Sequence, residues 1–171
     1  MMNTSILTVV LTSALLAGQN GSPTWNHSYS HAQNLGVNQK KPLFVVVGSG
    51  PNGWTKVIRD GAPSQEVTQI LSQRYVCVYI DVSNPTGRAL AESFGITGQS
   101  GLIISDRTGE SQAFWHQGDL SNDAAIRYLH KYSDPGLTVQ GTETVNSVRT
   151  SFYPTEAPQQ LFRPAFSSGS C

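Results

Sequence analysis

Several residue groups in this chain have types and spacings that could do chemistry. Gly48-Ser-Gly50-Pro-Asn-Gly53 spells G-x-G-x-x-G directly after an apolar run, and the next apolar run ends in Asp81. A backbone turn and helix N-terminus built this way cradle a dinucleotide pyrophosphate, with the acidic residue on the ribose. Against that reading, Pro51 intrudes in the turn and Gly61-Ala-Pro63 breaks the helix that should follow. Asp81 also lies farther along the chain than the about 20 residues usual for the ribose partner. The plainer reading is that the glycines fill a turn. His27 and His31 stand four apart, as two metal ligands on one helix face would, but no third ligand accompanies them. Asp60, His116 and His130 could join only through the tertiary fold, so no metal is expected. Cys77 and Cys171 are the only cysteines. They allow one disulfide, a single reactive thiol, or a buried inert Cys77 between Val76 and Val78. Trp115, His116 and Asp119 could line a ligand cleft or simply pack and cap.

Composition narrows the choices. The chain has 171 residues, enough for one domain with appendages. Lys plus Arg and Asp plus Glu both number 11, so there is no basic field to gather phosphates, and nucleic acid is not an expected partner. Ile6 to Ala17 is a mostly apolar run of signal-peptide length, too short to span a bilayer, although the usual positive charge before it is missing. The expected organisation is a signal peptide over 1–19, a linker over 20–24, a domain over 25–134 and a flexible tail over 135–171. Export to the periplasm or the outside follows, with no integral span once the leader is cleaved. Asn20-Gly-Ser22 and Asn26-His-Ser28 match the glycosylation acceptor pattern, which matters only in a eukaryote.

The elements that would position these residues can be read from periodicity and capping. Trp25, Tyr29, Ala32 and Leu35 repeat at helical spacing, and Lys41-Pro42 ends that helix. Leu43 to Val47 and Tyr75 to Ile80 are continuous apolar runs rich in β-branched residues, as buried parallel strands are. Between them, Trp54 to Arg59 predicts a short helix, and Ser64 caps a second with Val67, Ile70 and Leu71 on its inner face. Asn84-Pro85 starts a helix that Gly95 stops, Leu102 to Ile104 is a third strand, and Asp106 to Gly109 turns it into an antiparallel partner over 110–116. Ser121 caps a last helix. Strands separated by helices pair in parallel through right-handed crossovers, which gives a three-layer α/β/α sandwich on a mixed sheet of about four strands.

That order, with Lys41-Pro42 opening the first long strand and Trp25-Asn-His-Ser-Tyr-Ser-His-Ala32 opening the domain, resembles the thioredoxin-like superfamily. The likeness is to its exported members. It implies a Trp-Cys-x-x-Cys turn after the first long strand, where Asn52-Gly53-Trp54-Thr55 stands instead. Neither Asn52 nor Thr55 can form a thiolate or a mixed disulfide. The family's cis-proline position aligns with Ser100, where a cis bond would cost ~2.5–4 kcal/mol, so a trans peptide is expected.

The function expected from this reading is a non-catalytic envelope module that holds a protein or peptide, with no cofactor. The alternatives are a single-thiol redox protein using Cys77 or Cys171, a dinucleotide-binding domain using Gly48, Gly50 and Gly53, and a surface protein working through its tail.

Overall fold

The structure is a computed structural model that describes residues 21–145 and the backbone of 148–149. The expected leader, and the tail beyond 149 with Cys171, lie outside the described residues. Short strand β1 (Trp25–Asn26) leads to helix α1 (Tyr29–Gln39), strand β2 (Leu43–Gly48), a 3₁₀ helix (Gly53–Val57) and helix α2 (Gln65–Arg74). Strand β3 (Val76–Asp81), helix α3 (Pro85–Ser93), strands β4 (Gly101–Ser105) and β5 (Gln112–Gln117) and helix α4 (Asn122–Ser133) follow. Two-residue strands β6 (Thr142–Glu143) and β7 (Val148–Arg149) complete the series.

The caps act where the sequence places them. Ser64, Asn84 and Ser121 accept from the backbone N–H of Val67, Gly87 and Ala124. Each satisfies one of the orphan donors of a helix start. Gly95 ends α3 with φ at 79°, a conformation that favours glycine. The first helix begins at Tyr29 and leaves Trp25 outside it, because Ser28 is its cap and accepts from His31 N–H at 3.4 Å. Trp25 and Asn26 instead pair in parallel with Cys77 and Val78, and Asn26 Nδ2 donates to the Cys77 carbonyl at 3.0 Å. The edge of β3 thereby gains a partner, and Trp25 packs on Phe44.

The sheet runs β1-β3-β2-β4-β5-β6-β7, parallel across β1, β3 and β2 and antiparallel from β2 through β4 to β5. Seven strands replace the expected four or so. The four long ones are those the sequence marked, and the added three are two residues each, too short to leave a period. Alternation splits the core: Phe44, Val46, Cys77 and Tyr79 face α2 and α4. Leu43, Val45, Val47, Val76, Val78 and Ile80 face α1 and α3. Phe114 and Leu129 have no exposed surface, and burying such a side chain contributes roughly 1.5–3 kcal/mol.

The segment read as tail does not leave the domain at 135. Leu137 and Val139 pack on the α2–α4 side of the core, and Thr142 is buried, its Oγ1 donating to the Gln112 carbonyl at 2.8 Å. Glu143 accepts from Tyr132 Oη at 2.5 Å and from Lys131 Nζ. A strap without apolar period can still be seated residue by residue when polar side chains meet partners on the domain.

Candidate functional site

The turn after β2 is held from three sides. A Cβ on Gly48 would stand 2.9 Å from the Gly53 carbonyl carbon and oxygen, so the two ends of the turn touch backbone to backbone. From β3, Tyr79 Oη donates to the Gly50 carbonyl at 2.5 Å and lies where a Cβ on Gly53 would fall. Asp81 Oδ1 accepts from Gly50 N–H at 3.0 Å and from Ser83 N–H at 2.9 Å. Hydrogen bonds from the Ser83 hydroxyl, Ser83 N–H and Gly50 N–H hold this carboxyl below its ordinary range.

These contacts answer the glycine motif. The Gly50 N–H that a pyrophosphate would need is taken by a carboxylate, and a five-residue 3₁₀ helix stands where a dinucleotide site needs a long one. The dinucleotide reading of Gly48, Gly50 and Gly53 is therefore corrected: Gly48 packs on the Gly53 backbone, Gly53 packs on Tyr79, and Gly50 takes a φ of 81° that favours glycine. At the turn's tip, Asn52 and Thr55 bond to each other, since Thr55 Oγ1 donates to the Asn52 carbonyl at 2.9 Å and Thr55 N–H at 3.2 Å. Asn52 is exposed and its amide makes no cap bond. Trp54 leans inward on Trp25, ring centroids 5.2 Å apart.

The break between the two helical pieces is clasped to the β5–α4 loop. Ile58 and Leu120 bridge in parallel, Arg59 Nε meets Asp119 Oδ2 at 3.1 Å, and Asp60 Oδ2 accepts from Asn122 N–H at 2.7 Å. Asn122 returns its amide, accepting from Ser64 N–H at 2.8 Å and donating to the Ala62 carbonyl at 3.1 Å. Asp60 and Asp119 are thus occupied. His116 Nε2 lies 3.1 Å from the Asp119 carbonyl, and His130 pairs with Glu66 at 3.3 Å. His27 precedes α1 and so does not share a helix face with His31; its ring meets the edge of Tyr79 instead. Among the described residues no group of three His, Cys, Asp or Glu is placed to hold a metal.

Ser100 follows a trans peptide, and its carbonyl accepts from Gly118 N–H at 3.0 Å, tying the loop before β4 to the end of β5. Cys77 is 2% exposed, with Sγ 4.0 Å from the Leu71 carbonyl, and burial pushes its thiol up to about 12 despite Lys41 nearby. A thiol so placed carries negligible thiolate at neutral pH.

No family model and no curated protein matches the sequence. Solved structures do. A thioredoxin from Thermus thermophilus aligns with a TM-score of 0.50 at 16% identity, over 65% of this chain and 87% of its own. The C-terminal domain of Neisseria meningitidis DsbD aligns in its oxidised form with a TM-score of 0.45 at 15% identity, over 64% of this chain and 99% of its own. Its reduced form gives 0.44 at 18% identity, over 60% and 92%. The chain has a thioredoxin-like fold, a mixed α/β sandwich.

Sequence reasoning missed a polar cleft of about 290 Å³ beside the turn, lined by Ser49, Val82, Ser83, Arg88, Glu92 and the loop 96–99. Arg88 and Glu92, one turn apart after the Asn84-Pro85 start, were its available signal.

Proposed function

We propose that this protein is an exported, redox-inactive thioredoxin-like module that holds a protein or peptide. The observation that carries the reading is the pairing of Thr55 with Asn52 at the turn where the superfamily's dithiol stands. Atoms that can neither donate electrons nor form a mixed disulfide occupy both ends of it. The buried Cys77 supports the same reading, because thiol exchange needs a reachable thiolate. The exposed Asn52 amide offers a donor and an acceptor at the surface, the groups that recognise a peptide backbone. Export rests on the Ile6–Ala17 run. Among the described residues no helix is long and apolar enough to cross a membrane.

The test pairs two assays on the full chain. Insulin reduction and disulfide isomerisation are expected at buffer level, and turnover that survives Cys77→Ser with Cys171→Ser would remove the redox-inactive reading. Crosslinking from a photoreactive residue at position 52 in the native envelope fraction is expected to capture a protein, and capture unchanged after denaturing the domain would remove the binding reading.

A further inference from the structure

In an open α/β sheet, ligands bind in the crevice outside the carboxyl ends of adjacent parallel strands whose connections leave to opposite faces. β2 and β3 make such a pair here. The chain leaving β2 enters the 3₁₀ helix and α2 on one face, and the chain leaving β3 enters α3 on the other. The 290 Å³ cleft opens at this point, between Ser49 after β2 and Val82 and Ser83 after β3. Its floor is apolar, made of Val82, Ala91 and Ile96 from the α1–α3 side of the core. Its rim carries one cation and one anion. Arg88 makes a single hydrogen bond, to the Val82 carbonyl at 3.5 Å, which leaves its other N–H groups unpartnered among the described residues. The Glu92 carboxylate makes no hydrogen bond or ion pair there, with Arg88 or anything else.

We infer that the cleft binds a free α-amino acid with an aliphatic side chain. The ligand carboxylate meets the Arg88 guanidinium, which presents paired donors to a carboxylate. Its ammonium meets Glu92, and its side chain covers Val82, Ala91 and Ile96. On a helix, residues four apart have Cβ atoms about 5–6 Å from each other, so two long side chains can reach both charges of one small zwitterion. The volume, just under the usual about 300–1,000 Å³ of small-molecule sites, suits a ligand of that size and excludes a large cofactor. The inference goes beyond the function proposed above, and it stands whether or not the turn at Asn52 holds a protein.

The experiment is a titration of the isotope-labelled full chain, read by amide shifts, with L-leucine, N-acetyl-L-leucine, L-leucinamide and a leucine-ended pentapeptide. Saturable shifts at Ser49, Ser83 and Gly98 are expected with leucine. Removing either ligand charge, or making Arg88→Gln or Glu92→Gln, is expected to weaken binding at least about tenfold. Both side chains are exposed, and unchanged circular dichroism confirms that each variant is folded. No saturable shift at millimolar leucine, equal binding of the blocked forms, or unchanged affinity in the variants overturns the site. Binding of the pentapeptide as tight as that of leucine overturns the assignment to a free amino acid in favour of a peptide end.

Discussion

At the amino-terminal ends of β2 and β3, the Arg74, Tyr75 and Arg107 side chains reach α4 or α1, while at the carboxyl ends Tyr79 and Asp81 reach only neighbouring loops. Arg74 donates to Ser133 Oγ at 3.1 Å, and Tyr75 Oη to the Leu129 carbonyl at 2.7 Å. Arg107 donates to the Lys40 carbonyl at 2.8 Å and to the Ser133 carbonyl. The Ser133 and Lys40 carbonyls belong to the last turn of α4 and to the cap of α1, where the helix leaves acceptors without partners. At the other end, Tyr79 and Asp81 hold only the turn after β2 and the loop after β3, and a cleft stays open. Arg107 fastens the two helical layers to one another, and Tyr79 and Asp81 fix loop shape. A loop end can therefore change its residues without loss of the sandwich.

The comparison is broken most directly at its cations. Arg107→Ala removes two hydrogen bonds from a charged donor and leaves two helix-end carbonyls bare, so a loss of about 3 kcal/mol is expected in urea unfolding. Arg88→Ala at the open end is expected to stay within about 0.5 kcal/mol. Equal losses would dissolve the distinction between the ends.

Cys77, the second residue of β3, tests the buried sheet between them. Cys77→Ser is expected to cost about 1–3 kcal/mol, because its hydroxyl would be buried beside one distant carbonyl, and Cys77→Ala less. The native thiol is expected to resist alkylation until the chain is denatured, which mass spectrometry of the labelled peptides reads directly.

At the turn, Gly53→Ala pushes Tyr79 Oη off the Gly50 carbonyl and is expected to cost about 1–3 kcal/mol. Gly50→Ala, with φ at 81° but open space around it, is expected to cost about 1–2 kcal/mol from backbone strain alone. Tyr79→Phe should narrow the gap between the two, and an unchanged gap would remove Tyr79 as the cause.

The smallest effect belongs to the strap. Burial would raise the Glu143 pKa, but the hydrogen bonds from Lys131 and Tyr132, with the charges of Lys131 and Arg127, outweigh it and lower the value. Stability from this group is therefore full above the ordinary carboxylate range and lost as pH falls through the lowered value. Glu143→Gln should cost under about 1 kcal/mol at neutral pH and flatten the acid side of the stability profile.

Much of this was legible in the chain. Ser64, Asn84-Pro85, Gly95 and Ser121 act locally, through bonds to residues three or so away, so the helices they bound could be read without a fold. The long runs around Val45 and Val78 declared buried strands because both faces of a parallel sheet are covered. Trp25 was misplaced because its spacing from Tyr29 fits a helix, while its actual partners, Cys77 and Phe44, are distant in sequence. The absence of sulfur from Asn52-Gly53-Trp54-Thr55 was readable outright, since residue identity alone decides it. Tertiary structure alone decided that Asp81 answers Gly50, that Asp60 and Asn122 clasp the broken helix, that residues 137–143 belong to the domain, and that Arg88 and Glu92 rim a cleft. Each of these depends on residues distant in sequence or on the shape of the space around them, and neither leaves a period along the chain.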